Sequence, residues 1–259
     1  MSNKLVIFGG SDRRTGTSTL AYSLFRRLAA NEPDKSTLYI DLSEDSGIAG
    51  YLGVKYSTDI DDLVVLASSN RLESSDIKEC SIEVAKNAWF LPGTSLSYRH
   101  SIAEKSRDVG DIIDKALEVF DFTVVEVGTG IKENIGEQLK SIGVPLVIVT
   151  EQDYKLLAKT KEVFEGVEEN NRLIIINKFR DDIHFTTKDM TKEIPNKAIL
   201  EMGFNTALVN NTLVGKFKEE VIKNNTLDTL NKNLMQAMGI EDKKGRRGLF
   251  GRLRGGRKK

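Results

Sequence analysis

The sequence predicts an α/β fold, a doubly wound, mainly parallel sheet of about seven strands with helices on both faces. Short apolar runs alternate along the chain with longer amphipathic stretches, as strands and helices do in such folds. Several of the short runs are apolar at every position, which is typical of strands buried on both faces of a parallel sheet.

Seven apolar runs are predicted to be the strands. In chain order they are residues 5–8, 37–40, 88–91, 122–125, 146–149, 173–176 and 198–200. Between them, apolar side chains repeat every three to four positions, which predicts amphipathic helices. These helices are expected at residues 20–30, 109–120, 156–167, 212–223 and 227–238.

Length and composition bound the class of protein. With 259 residues, of which 39% are apolar, the chain is long enough to bury a substantial core. Cys80 is the only cysteine, which excludes an internal disulfide and fits a reducing compartment. No apolar stretch reaches the roughly 18 residues of a spanning helix, and the run at 5–8 is too short for a secretory signal. We therefore expect a cytoplasmic protein.

The charges are unevenly distributed, although the formal net charge is zero. Residues 243–259 carry nine Lys and Arg and no acid, which leaves 29 basic and 38 acidic residues in the rest of the chain. We therefore expect two parts, a folded domain over residues 1–240 and a basic, flexible or amphipathic tail over residues 241–259.

A stretch similar to a phosphate-binding loop follows the first predicted strand. The pattern G-x-x-x-x-G-K-[ST] places its second glycine at Gly16 and its hydroxyl residue at Ser18. Thr17 then occupies the lysine position, and Ser11 the first-glycine position. Backbone N–H groups at the start of the following helix are able to bind phosphate without a lysine. The alternative is a strand-to-helix turn in which Ser18 and Thr19 only cap the helix.

Together with three later segments, this loop resembles the MinD/ParA family of deviant Walker P-loop ATPases. The segments are residues 38–43, 120–126 and 175–178, and the resemblance spans about residues 3–240 in the right order and spacing. The family includes pilus- and cellulose-associated members, some of which also lack the P-loop lysine. The resemblance implies that the chain binds ATP or ADP with Mg²⁺, forms a homodimer and contacts a protein partner.

The resemblance also gives single residues a role. Asn177 is expected to read the adenine edge, and the two arginines of the loop are expected to restore positive charge beside the phosphates. The residues expected to contact the nucleotide are Gly10, Arg13, Arg14, Gly16, Thr17, Ser18, Thr19 and Asn177. The residues expected to lie at the metal ion are Ser18, Asp41 and Glu126, with Glu126 in place of the Walker B aspartate.

Two groups that the family uses in hydrolysis are replaced in this chain. Thr17 stands for the lysine, and Ser43 stands for the second aspartate, which helps to position the attacking water. Asp12 stands where the family has the signature lysine that reaches across the dimer. Removal of one such group typically costs about 10²–10³ in rate. We therefore expect slow hydrolysis or none and assign no catalytic residue. A scaffold that binds no nucleotide and acts by protein contacts is the alternative.

The basic tail predicts a segment that binds a surface. Read as a helix, its three apolar side chains lie on one narrow face among cations, and the segment resembles the membrane-targeting segment of MinD proteins. We expect weak, reversible binding to an anionic membrane at the inner face of the cell membrane, strengthened by dimerisation. DNA or RNA binding, as in ParA-like partition proteins, and a solvated tail without a partner are the alternatives. The residues expected to make the contact are Arg246, Arg247, Leu249, Phe250, Arg252, Leu253 and Arg254.

Overall fold

The structure, a computed structural model, describes residues 5–43, 47–93, 106–129 and 143–243. One sheet of eight strands runs through it, in the spatial order β3-β4-β2-β5-β1-β6-β7-β8. Every pair of neighbours is parallel except β3 and β4 at one edge, which are antiparallel. The strands are β1 (Leu5–Gly10), β2 (Thr37–Asp41), β3 (Ile82–Ala85), β4 (Ala88–Leu91), β5 (Phe122–Glu126), β6 (Leu146–Thr150), β7 (Arg172–Phe179) and β8 (Ala198–Gly203).

All seven predicted strands are present, and the mainly parallel fold is confirmed. The strand that the prediction missed is β3, which lies at the edge of the sheet and is half-buried. Its four residues contain Glu83, so the segment lacks the continuous apolar run that marks the inner strands. The alternation of apolar Ile82 and Val84 with polar Ser81 and Glu83 was the available signal in the sequence.

Ten α-helices are described. They are α1 (Thr17–Asn31), α2 (Gly47–Leu52), α3 (Ile60–Ser68), α4 (Ser74–Glu79), α5 (Ser106–Val119), α6 (Tyr154–Val163), α7 (Thr187–Glu193), α8 (Thr206–Leu213), α9 (Phe217–Lys223) and α10 (Asn225–Ala237), with a 3₁₀ turn at Glu169–Asn171. The single helix predicted at 212–223 is wrong, because Gly215 takes a left-handed conformation with φ of 75° between α8 and α9. The N–H of Gly215 turns back to the carbonyl of Thr212, which ends the helix there.

Apolar side chains form one core on each face of the sheet. On one face, α1, α9 and α10 supply residues such as Phe25, Phe217 and Leu230. On the other face, α3, α5 and α6 supply residues such as Leu63 and Ile112. Helices therefore cover both faces, as the doubly wound interpretation requires.

The loop after β1 lies at the carboxyl edge of the sheet, where ligands bind in folds of this kind. The strand itself lies between β5 and β6. Backbone hydrogen bonds attach the loop to both neighbours, from the N–H of Gly10 to the carbonyl of Gly128 at 2.8 Å and from the N–H of Ser11 to the carbonyl of Val149 at 3.0 Å. The start of α1 is thereby fixed against the centre of the sheet.

The last described residues pack against the end of α1. The side chain of Asn31 donates to the carbonyl of Glu241 at 2.9 Å and accepts from the N–H of Lys243 at 2.7 Å. Arg27, which is buried, donates to Asp242 at 2.7 Å and to Asp228 of α10 at the same distance. Among the described residues, no helix is both long and apolar enough to cross a bilayer.

Candidate functional site

Four predicted site residues converge at the carboxyl edge of the sheet. Ser18, in the first turn of α1, donates from Oγ to Oε1 of Glu126 at 2.5 Å. Asp41 and Glu126 end the adjacent strands β2 and β5 in direct register. Asn177 of β7 reaches the loop and donates from Nδ2 to the carbonyl of Thr15 at 2.7 Å. The topology therefore assembles into one site residues that are up to 162 positions apart in the sequence.

A polar cavity of about 470 Å³ lies over the loop and the start of α1. Its walls include seven of the residues predicted to contact the nucleotide or the metal ion, and Gly10, Asp41 and Asn177 are not among its lining residues. The lining residues are Asp12, Arg13, Arg14, Gly16, Thr17, Ser18, Thr19, Ser43, Gly47, Tyr51, Glu126, Gly128 and Thr129. The two arginines are exposed at its rim.

Thr17, at the lysine position, turns its hydroxyl into the loop. Its Oγ1 lies 3.1 Å from Oγ1 of Thr15, which donates in turn to the carbonyl of Asp12 at 3.0 Å. A Cβ atom on Gly10 would lie 2.7 Å from Oγ1 of Thr17 and 2.9 Å from Oγ1 of Thr15. Gly10 therefore makes room for a loop that is stabilised by its own hydroxyl groups, and it does not face the cavity.

Position 16 requires a glycine, because of its backbone conformation and because Asn177 lies close to it. Its φ of 92° lies in the left-handed region, which side chains other than hydrogen rarely allow. A Cβ atom there would lie 2.4 Å from Nδ2 of Asn177. The Asn177 amide also accepts from the N–H of Lys178 at 2.9 Å. The Asn177 amide therefore supports the loop. Because it has two N–H groups and two acceptor sites, it can still donate one hydrogen bond and accept another.

The two carboxylates of the site are fully buried. Asp41 accepts at Oδ1 from the N–H of Ser43 at 2.9 Å and from its hydroxyl at 2.5 Å. Glu126 accepts at Oε1 from Ser18, while Oε2 accepts a short hydrogen bond from the hydroxyl of Tyr39. Burial raises the pKa of both carboxyl groups, and the charge of Asp41 raises the pKa of Glu126 further. A cation between them would reverse both effects.

The oxygen atoms of this pair suit Mg²⁺. Oδ2 of Asp41 is buried, and it has no hydrogen-bond partner among the described residues. Ser18 and Glu126 add a hydroxyl and a carboxylate oxygen beside the phosphate-type loop. The described residues contain no group of three or more His, Cys, Asp or Glu that would hold a metal ion alone. Mg²⁺ is usually held by one or two carboxylates together with substrate phosphates, and Asp41, Glu126 and Ser18 supply oxygens of this kind.

Two lysines that the sequence did not point to contact the loop from outside. Lys159 of α6 donates to Oδ2 of Asp12 at 2.8 Å, and this contact lowers the pKa of Asp12. Lys178, after Asn177, donates to the carbonyl of Arg14 at 3.0 Å and to Glu151 at 2.5 Å. Asp12, at the signature-lysine position, is thus paired within its own chain. The spacing along the sequence carries no sign of these contacts.

A second cavity of about 250 Å³ adjoins the first and is largely apolar. It shares Gly16, Thr19 and Tyr51 with the polar cavity, and Asn177 lies in its wall. Its other apolar walls come from Leu20 of α1, from Met202 of β8 and Phe204 after it, and from the side chains of α8. Tyr51 is 50% exposed and Phe204 59% exposed, so two aromatic rings stand at its mouth. Sequence reasoning missed this cavity, because its walls come from four separate segments.

The seven predicted contact residues of the tail, from Arg246 to Arg254, lie outside the described residues.

Comparison with known proteins bears on the fold. No protein-family model matches the chain, and neither does any curated protein. A ParA family ATPase from Chlorobium tepidum TLS has a TM-score of 0.74 at 20% identity, over 90% of this chain and 97% of that one. McdA from Cyanothece in complex with ATP has a TM-score of 0.68 at 16% identity, over 93% and 98% of the two chains. MinD from Aquifex aeolicus in complex with MinC has a TM-score of 0.67 at 17% identity, over 92% and 96%. The chain therefore has the fold of the MinD/ParA-like P-loop ATPases.

Proposed function

We propose that this chain is a nucleotide-binding regulator that holds ATP or ADP with Mg²⁺ and hydrolyses it slowly or not at all. The observation that carries the proposal is the pair of adjoining cavities, one polar over the loop and one apolar beyond Gly16. A nucleotide has the same two halves, a charged phosphate chain and a flat apolar base. The Asn177 amide in the wall of the apolar cavity supplies the polar group that an adenine edge requires.

The chain can bind phosphate without the usual lysine. The first turn of α1 presents backbone N–H groups and the positive end of the helix dipole to the polar cavity. Arg13 and Arg14 stand at the rim of that cavity and supply guanidinium groups. Ser18, Asp41 and Glu126 would hold Mg²⁺, which when bound neutralises charge on the phosphates.

The same site is poorly equipped to cleave the nucleotide. The Thr17 side chain carries no charge, and its hydroxyl lies within hydrogen-bonding distance of Thr15 inside the loop. Ser43 donates its hydroxyl to Asp41, and a serine hydroxyl is not a carboxylate that would orient an attacking water. Each missing group typically costs about 10²–10³ in rate, and losses within one site are not additive. Binding should therefore be retained better than turnover.

Titration with a fluorescent ATP analogue, with and without Mg²⁺, tests the proposal. We expect saturable binding in the micromolar range that is tighter with Mg²⁺. Ser18→Ala should reduce the gain in analogue affinity that Mg²⁺ produces about tenfold, because it removes a hydroxyl at the proposed metal position. Ser69→Ala is the matched control, since its hydroxyl only contacts carbonyls of its own helix. Absence of a saturable signal up to millimolar analogue would favour the nucleotide-free scaffold.

Two solved structures of the same fold support a regulatory role through partners. McdA was solved with ATP, and MinD was solved with the cell division protein MinC. From these structures we propose that this chain engages a protein partner, with the nucleotide as the signal that it carries, and from the family resemblance of its sequence we propose that it acts as a homodimer. Chromatographic mass determination with and without the ATP analogue would measure the dimer directly, and a mass that stays monomeric at saturation would contradict it.

We also propose that the basic tail binds an anionic membrane. Sedimentation with anionic liposomes should compare the full chain with a chain of residues 1–243, which keeps the contacts of Asp242 and Lys243 with α1. The full chain should sediment and the shortened chain should not. Replacing Leu249 and Phe250 with serine should weaken liposome binding at unchanged charge, because it removes apolar burial. Unchanged liposome binding together with a lost DNA gel shift in the shortened chain would identify the tail as a DNA-binding segment.

A further inference from the structure

The Glu126 carboxylate is held from two opposite sides. Ser18 lines the polar cavity and donates to Oε1 at 2.5 Å. Tyr39 is fully buried in β2, does not line the cavity, and donates to Oε2 from the interior of the protein. One oxygen of Glu126 therefore faces the cavity side, and the other is bound on the core side.

Aromatic packing fixes the direction of the Tyr39 hydroxyl. Its ring packs edge-on against Tyr22 with the ring centroids 6.1 Å apart and against Phe25 at 5.6 Å, and it contacts Phe90 at 5.9 Å. All four rings are buried. The hydroxyl of Tyr39 donates its hydrogen bond to Oε2 of Glu126. Because three aromatic rings pack against the Tyr39 ring, its hydroxyl cannot readily turn toward another acceptor.

We propose that Tyr39 is a positioning residue for Glu126, directing one carboxylate oxygen into the cavity for the Mg²⁺ of a bound nucleotide. Glutamate is one methylene longer than aspartate and has one more rotatable bond, so it needs a second contact to keep one orientation. Partners that hold a metal ligand in place typically contribute about 10- to 100-fold to metal affinity. This inference rests on the proposed nucleotide site, and it adds a residue that touches neither nucleotide nor metal.

Tyr39→Phe tests the proposal, because it removes only the hydroxyl. Tyr22→Phe is the matched control, since Tyr22 belongs to the same buried cluster but its hydroxyl accepts from Arg26 and does not touch Glu126. The first readout is the Mg²⁺ concentration that half-saturates the Mg²⁺-dependent gain in ATP-analogue affinity. We expect it to rise about tenfold or more in Tyr39→Phe and to stay unchanged in Tyr22→Phe. Analogue binding in EDTA should be the same in all three proteins.

The second readout does not require nucleotide. In a crystal structure of the wild type, the Glu126 carboxylate should accept the hydrogen bond of Tyr39. In a crystal structure of Tyr39→Phe, the carboxylate should be rotated away from that position. An unmoved carboxylate, or an equal Mg²⁺ shift in both variants, would overturn the proposal and leave Tyr39 as packing alone. Failure of the wild type to bind nucleotide would instead overturn the proposed function, while the crystal structures would still decide the role of Tyr39.

Discussion

At the scale of single residues, two hydroxyl groups of the candidate site form contacts with the protein itself. The Thr17 hydroxyl packs into the loop beside Thr15, and the Ser43 hydroxyl binds Asp41. Both side chains occupy positions at which related ATPases are expected to carry a charged group, and here both lie within hydrogen-bonding distance of partners in the protein. These hydroxyl groups therefore stabilise the loop and the carboxylate of Asp41, and in the proposed site they offer little to a reacting phosphate.

Thr17→Lys should strengthen phosphate binding without restoring hydrolysis. A lysine is too long for the space above Gly10, so its ammonium group must extend into the cavity, where a charged hydrogen bond is worth about 1.5–3 kcal/mol. We expect ATP-analogue affinity to rise about tenfold or more, while phosphate release stays slow because Ser43 is unchanged. Thr17→Ser, which keeps the hydroxyl and adds no charge, should bind like the wild type. Equal affinity for the two variants would show that the position does not face phosphate.

At the scale of elements, the contact between the loop and β7 holds the site together. Asn177 and Lys178 of β7 donate to the carbonyls of Thr15 and Arg14, so the end of this strand supports the loop from the side of the apolar cavity. A Cβ atom on Gly16 would lie 2.4 Å from Nδ2 of Asn177. The loop is therefore braced by a strand far away in the sequence and does not depend on its local conformation alone.

Gly16→Ala measures that contact. The new methyl group meets Asn177 in addition to the strain of the positive φ, so we expect a loss of about 2–4 kcal/mol in the free energy of unfolding. Gly166→Ala is the matched control, because Gly166 has a φ of 79° and no atom within 4 Å of the added Cβ. Its loss should be about 1 kcal/mol. Urea unfolding measures both, and equal losses would mean that Asn177 moves away at no cost.

Sequence patterns predicted the strands that are buried on both faces of the sheet. They missed a half-buried edge strand and the turn that divides one predicted helix into two. The inner strands are continuous apolar runs, whereas β3 is a half-buried edge strand with Glu83 in it. The apolar spacing through 212–223 continues across Gly215, where the chain changes direction. In the site, Ser18 follows from the loop pattern, and Asp41 and Glu126 follow from the family resemblance. Lys159, Tyr39 and Phe204 do not, because only the tertiary fold brings them near the loop.

At the scale of the whole molecule, α1 extends from the candidate site to the last described residues before the tail. Its first turn lines the polar cavity, and its last turns hold Glu241, Asp242 and Lys243. The folded body thus extends by contacts to residue 243, three residues beyond the predicted domain boundary. A tail that begins at this point starts from a fixed position beside α10.

Arg27→Met should destabilise the body strongly, because Arg27 is buried and pairs with Asp228 and Asp242 at 2.7 Å each. Both acids are partly exposed, which reduces the penalty of leaving them unpaired, so we expect a loss of about 2–3 kcal/mol. Lys161→Met breaks an exposed pair with Glu193 and should cost less than about 1 kcal/mol. Urea unfolding of both variants checks the difference, and losses of equal size would argue that Arg27 does not anchor the end of the body.

The central claim is that the site holds a nucleotide without turning it over, and the state of ATP retained on the protein tests it most directly. Purified protein would be equilibrated with Mg²⁺ and γ-labelled ATP, the bound label measured by equilibrium dialysis, and samples quenched over time to distinguish intact ATP from released phosphate. We predict saturable retention of intact ATP, with turnover below about one per minute, because two charged groups of the reaction are missing. Rapid release of labelled phosphate, or no retention at millimolar ATP, would contradict the claim.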